Sequence, residues 1–328
     1  MIKNITPARF RFMVQLVFTL FCVYVGFRFM AFLDWAMGRS AEYVAKPGAV
    51  EGFLPISALL GLRQLLATGE WDMVHPAGLT IFIALVVMAF LFRKAFCGYI
   101  CPVGFLSNLL ERAGRKMKLA LVPHMYVDYP LTAIKYVLLG FFLYIVFFSM
   151  DVRSVSSFIS GPYNMVADAK MLDFFLAPSA TSLLVIGGLI VFGLVVRNAW
   201  CRYLCPYGAL LGLFSWLSPI AVSRDGNTCI GCGKCSKRCP AGIKVEIKDS
   251  VRSPECIGCA ECIGECPVDG CLSFKAYKRV HLPWLAVGIG AVVVLLGFFA
   301  WAKLTGHWDV GMPPFMYQKI YPMFLSNI

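Results

Sequence analysis

Five stretches of this chain, at 11–32, 77–92, 131–150, 181–196 and 283–302, are long apolar runs with almost no charge. Each approaches the roughly 20 apolar residues that carry a helix across a bilayer, and the second and fourth need flanking residues to complete the distance. With them the hydrophobic share reaches 59%, where a soluble domain is about half apolar. The fold class that follows is an α-helical integral membrane protein with about five transmembrane helices. The first run is too long for the h-region of about 7–15 residues in a cleaved leader, so it is expected to stay in place as a helix. Arg28 lies inside it, where a charge is costly. It is expected to snorkel outward or to meet a carbonyl or Glu51.

Five crossings sort the rest of the chain onto two sides. The formal charge is +12, and of 30 Lys and Arg, 22 fall with the N-terminus, the 93–130 loop and the 197–282 segment, Lys135 being counted at their edge. Basic residues in short loops mark the cytoplasmic side. The N-terminus and 197–282 are therefore expected in the cytoplasm and the C-terminus in the periplasm, in the cytoplasmic (inner) membrane of a bacterium. A basic face beside anionic lipid accounts for the charge, so membrane lipid is an expected partner and nucleic acid is not. On the other side, 53–66 is apolar but interrupted by Pro55 and reads as an interfacial or re-entrant helix. Gly161-Pro162-Tyr163-Asn164 reads as a turn, and the tail from 303 is expected to lie along the outer interface.

Eight of the fourteen cysteines fall between Cys229 and Cys266. Cys229, Cys232, Cys235 and Cys239-Pro240 follow C-x2-C-x2-C-x3-C-P, and Cys256, Cys259, Cys262 and Cys266-Pro267 repeat it. Zinc takes four ligands as separated pairs, which leaves two identical runs of four unexplained. In two-cluster ferredoxins the fourth cysteine of each run ligates the other cluster. One [4Fe-4S] cluster is therefore assigned to Cys229, Cys232, Cys235 and Cys266, and the other to Cys256, Cys259, Cys262 and Cys239. Gly231, Gly233 and Gly258 let the backbone approach the sulfurs. The expected organisation is a four-helix membrane domain over 1–220, an inserted cytoplasmic α+β ferredoxin module over 221–277, and a fifth helix with an external tail over 278–328.

The remaining chemistry lies in a duplication. Arg93-Lys94-Ala95-Phe96-Cys97-Gly98-Tyr99-Ile100-Cys101-Pro102 aligns at an offset of 104 with Arg197-Asn198-Ala199-Trp200-Cys201-Arg202-Tyr203-Leu204-Cys205-Pro206. Residues four apart share a helical face, although each proline could instead break the helix. Cys97, Cys101, Cys201 and Cys205 could hold a third iron–sulfur cluster, act as redox dithiols, or serve as small buried hydrophobes. No C-x-x-C-H haem motif occurs.

With these spans, runs and twin C-x3-C-P motifs, the chain resembles the NapH/NosR-type membrane polyferredoxins. Gly48-Ala49-Val50-Glu51-Gly52-Phe53-Leu54-Pro55, His75-Pro76-Ala77-Gly78-Leu79 and Asn164-Met165-Val166-Ala167-Asp168 also resemble that family. The resemblance implies an electron-transfer subunit of a quinol dehydrogenase complex. Its partners would be the quinone/quinol pool and another iron–sulfur or cytochrome redox subunit. Glu51 and His75 are the candidate proton acceptors of a quinol site, with Asp168 and Asp173 weaker ones. The alternatives are a membrane ferredoxin that reduces a metalloenzyme during its maturation, and a redox-sensing or anchoring subunit.

Overall fold

The computed structural model describes residues 5–119, 121, 123–277 and 279–325. Three helices are long and apolar enough to cross a membrane: α1 (Pro7–Ala36), α5 (Met125–Tyr144) with the π-helical turn Ile145–Ser149 that continues it, and α13 (Leu285–Thr305). Two further apolar helices occupy the second and fourth runs. The helix α3 (Pro76–Phe92) has 17 residues and α9 (Ala180–Val195) has 16. α9 is preceded by α8 (Ala167–Leu176) at a 76° bend, and the pair can count as one broken span. By length and composition the described residues thus hold three to four spans. The best window of α1 is only 17% buried, and Leu184 and Leu304 are 77% and 88% exposed. Apolar surface on this scale is not left to water, so these faces meet lipid.

Two compact units divide the chain. The first comprises Met1–Leu20, Leu85–Leu139 and Leu189–Leu295. Its sheet has the order β2-β1-β3-β4, from β1 (Ile220–Arg224), β2 (Ser250–Val251), β3 (Leu272–Ala276) and β4 (Val280–Leu282), all antiparallel. Val222 stands opposite both Val251 and Phe274, and Phe274 is fully buried. The first strand of the module thus pairs with its third, so the chain enters and leaves at neighbouring strands. That suits insertion between α10 (Pro206–Trp216) and α13. Each cysteine run contains one short helix, α11 (Lys234–Arg238) or α12 (Glu261–Gly264).

The same unit packs α4 (Pro102–Lys116) against α9 through glycines. A Cβ on Gly114 would drive into the Leu194 carbonyl, and one on Gly193 would sit 2.9 Å from Leu110. Backbone cannot yield as a side-chain tip can. Gly114→Ala is expected to destabilise the protein by about 3 kcal/mol, read as a lowered midpoint of thermal unfolding in detergent. A midpoint unchanged from the parent would mean that α4 and α9 do not pack at this distance.

The second unit comprises Phe21–Ala84, Gly140–Gly188 and Leu296–Ile328. A 3-10 turn (Gly48–Phe53), α2 (Pro55–Thr68), α6 (Val152–Ile159), α7 (Pro162–Met165), α8 and α14 (Pro314–Phe324) build it. Its core gathers Phe29, Phe32, Trp35, Val50, Val166 and Tyr321. Pro55 does not interrupt the apolar stretch but starts α2 at its first position, where its missing N–H costs nothing. Gly161 caps the single-turn α7. The tail does not lie along an interface: α14 inserts Tyr317 and Tyr321 into the core. The tail's last three residues lie outside the described ones.

Candidate redox and proton sites

Cys229, Cys232, Cys235 and Cys266 line one cavity of about 350 Å³, with Ile230, Val268 and Leu272 among its walls. Cys239, Cys256, Cys259 and Cys262 line a second of about 380 Å³, walled by Val222, Ile243, Val245 and Val251. The fourth cysteine of each run therefore faces the three of the other run. The walls of the second cavity carry no carboxylate or imidazole, and soft thiolates in an apolar shell suit iron–sulfur rather than a hard cation. Left-handed backbone repeats in both runs, at Gly231 (φ +68°) and Gly233 (φ +66°), then at Gly258 (φ +65°) and Ala260 (φ +59°). The cavities differ in exposure. Cys232 is exposed, whereas Cys239, Cys256, Cys259 and Cys262 are all buried. They are called outer and inner below.

The duplicated motif is not one α-helical face. In each copy the first cysteine sits in a π-helical turn, Phe96–Ile100 or Trp200–Leu204. The second cysteine is the N-cap of α4 or α10, and its proline is the first helical residue, so the proline begins a helix. Cys101 Sγ accepts from the Gly104 N–H at 3.5 Å, and Cys205 Sγ from the Gly208 N–H at 3.2 Å. A helix N-terminus favours a thiolate. The structure brings the four thiols together: charged, each would repel all three others. None of the fourteen cysteines is in a disulfide.

Both copies of the motif hold the ferredoxin module, and they hold it around the inner site. From the first copy, Arg93 donates to the Ile220 and Ser253 carbonyls at 3.2 and 2.6 Å, and Tyr99 Oη to the Gly258 carbonyl at 3.3 Å. A Cβ on Gly98 would lie 2.6 Å from the Ile257 carbonyl oxygen. From the second copy, Arg197 donates to the Cys239 carbonyl at 3.1 Å and Asn198 to that of Pro240 at 3.2 Å. Arg11 adds a buried link, donating to the Gly98 carbonyl at 2.9 Å while pairing with Glu261 at 2.5 Å. Glu255, next to Cys256, receives Lys94 Nζ at 3.4 Å, Lys135 Nζ at 2.5 Å and Tyr136 Oη at 2.9 Å. Burial alone would raise the Glu255 carboxyl, but the two ammoniums and the hydroxyl hold it down at about 2.

In the second unit Glu51 and His75, each with no exposed surface, face one another. His75 Nδ1 lies 3.3 Å from Glu51 Oε1, and Nε2 lies 2.8 Å from the Asn164 carbonyl. A carbonyl only accepts, so Nε2 carries a hydrogen. That leaves the Nδ1 lone pair pointed at a carboxylate oxygen, an arrangement that holds together with one proton between them. Lys46 Nζ joins Glu51 at 3.3 Å to Asp168 at 2.7 Å, and Tyr321 Oη donates to Asp168 at 3.2 Å. Glu51 pairs with Lys46 rather than with Arg28, which is exposed on α1. Asp173 is half-buried outside this chain of contacts. Burial would lower the His75 value, but the hydrogen bond to Glu51 leaves it above the ordinary 6.5.

A raised histidine stabilises the fold while it is protonated. The contribution is complete below pH 6.5 and is lost as pH rises through the elevated folded value. The thermal midpoint of the parent should therefore fall as pH is raised above 6.5, and His75→Asn should flatten that dependence. An identical slope in the variant would remove His75 from the titration.

Apolar helices joined to a module with two four-cysteine sites define a membrane-bound iron–sulfur electron-transport protein. Family comparison agrees: a 4Fe-4S binding domain matches residues 74–120 and 179–224, which contain the twin motifs, and a 4Fe-4S dicluster domain matches residues 221–267. The chain belongs to the NapH/NosR-type membrane polyferredoxin family. It is 37% identical to YccM of Escherichia coli, a candidate electron transport protein, over 94% of this chain and 88% of YccM. It is 31% identical to the regulatory protein NosR of Pseudomonas aeruginosa over 45% of this chain and 20% of NosR. With the ferredoxin-type protein NapH of Escherichia coli it shares 27% identity over 57% of this chain and 61% of NapH. No solved structure matches the chain.

Proposed function

We propose that this protein oxidises quinol and delivers the electrons through the duplicated motif to the ferredoxin module, and from there to another redox subunit. Two [4Fe-4S] clusters would be held by the inner and outer cysteine sets, and a third by Cys97, Cys101, Cys201 and Cys205. Bound there, iron–sulfur clusters supply one-electron steps, while everything proton-coupled falls to side chains. Five crossings, with 22 of 30 basic residues on the module's side, place the module and the N-terminus in the cytoplasm and the C-terminus in the periplasm of a bacterial inner membrane. The domain plan remains 1–220, 221–277 and 278–328.

The observation that carries the quinol assignment is the buried Glu51–His75 pair. Quinol oxidation releases two protons with two electrons, and it needs a base that water does not already saturate. When the shared proton leaves, His75 Nδ1 and Glu51 Oε1 together regain a vacant position for one proton. Lys46 keeps Glu51 ionised and close, and Asn164 fixes the ring so that Nδ1, not Nε2, is the accepting atom.

Glu51→Gln and His75→Asn are expected to slow reduction of the clusters by a quinol analogue about 100-fold, the usual share of a positioned base. Reduction by dithionite should be unchanged. A purified sample whose clusters quinol analogues never reduce would instead favour the maturation role.

A further inference from the structure

We propose that Lys94 and Lys135 form a positive bridge between the duplicated-motif thiols and the inner cysteine site, making the inner site the one that exchanges electrons with the motif. This rests on the reading of both as iron–sulfur sites. Three observations carry it.

The first is placement. Both ammoniums converge on Glu255 Oε2, at 3.4 and 2.5 Å, one residue before Cys256. The same two ammoniums act on the motif: Lys94 on Cys97, Cys201 and Cys205, and Lys135 on Cys97 and Cys205. They stand within electrostatic reach of both sulfur sets.

The second is charge. Lys94 is 3% exposed and Lys135 has no exposed surface, and one carboxylate faces the two of them. One positive charge is left over. A buried surplus charge is costly unless something nearby carries negative charge. Thiolate-held clusters do so, and more so when reduced. The surplus therefore favours an electron on either neighbouring site.

The third is the duplication itself. Lys94 aligns with Asn198, which reaches the module through the Pro240 carbonyl at 3.2 Å and takes Glu111 at 2.8 Å as its acid partner. The second copy folds its π-turn and its N-cap without a lysine there. The charge is thus dispensable for the motif's fold and is present only in the copy that touches the Cys256 run. The outer site, with exposed Cys232 and with Ile230 68% exposed, is left to face a soluble partner.

The test is a potentiometric titration of the full-length protein followed by EPR, on Lys94→Asn and Lys135→Met. In each variant the inner cluster should become about tenfold harder to reduce, a shift of 59 mV for one electron, while the outer cluster keeps its potential. Lys94→Arg should restore the parent value, and Glu255→Gln should move the inner cluster the opposite way. Lys94→Asn copies the residue already tolerated in the second motif, so the fold is preserved. An inner cluster that stays where it was, or both clusters shifting equally, would overturn the bridge while leaving the iron–sulfur reading intact. A parent protein with no cluster at the inner set would overturn that reading and the bridge with it.

Discussion

Serine in place of any one of Cys97, Cys101, Cys201 or Cys205 is expected to abolish quinol-driven reduction of the ferredoxin module while its own two clusters remain assembled. Each of these four thiols is near the other three, and each copy of the motif contributes two. A cubane needs all four ligands, and a hydroxyl is a poor substitute for a soft thiolate. Iron content should fall from about twelve to about eight per chain, at four per cluster. Dithionite, which reaches the exposed outer site directly, should still reduce the module. The helices should persist, because the prolines and glycines that start α4 and α10 are untouched. A variant with parental iron content and full quinol activity would reduce the motif to a way of starting helices.

Cys239→Ser should be nearly as damaging, and it should strike the inner site. Cys239 belongs by sequence to the first run but lines the cavity of Cys256, Cys259 and Cys262. The EPR signal of the inner cluster should disappear and that of the outer cluster should persist, now without coupling to a neighbour. Quinol-driven electrons should then stop at the motif, whose contacts with the module surround Cys239, Ser253 and Gly258. Loss of the outer signal alone would mean that each run holds its own cluster.

Much of this was legible in the residues. The two cysteine runs announce their chemistry because thiolate spacing is local, and the apolar runs because lipid imposes a length. The offset of 104 was visible for the same reason: it compares short strings. Glu51, His75 and Asp168 stood out as polar residues in quoted motifs. Lys46 did not, since a lone lysine in an external segment looks like any solvated one. Lys135 read as the edge of a span. A charge just inside an apolar run is a signal of function, and it could have been given more weight. Arg11 gave no hint of reaching Glu261, 250 positions away. The tail's aromatic residues could not say whether they would face lipid or the core.

The sequence by itself determined the solvent, the metal chemistry and the duplication, because hydrophobic length and ligand spacing are properties of short stretches. Only the tertiary structure decided that both motif copies grip the inner site, that Lys94 and Lys135 share Glu255, and that Lys46 joins Glu51 to Asp168. Each of these is a meeting of charges far apart in the chain. A buried charge is stable only beside its partner, and which partner arrives is settled by how the helices and the module pack.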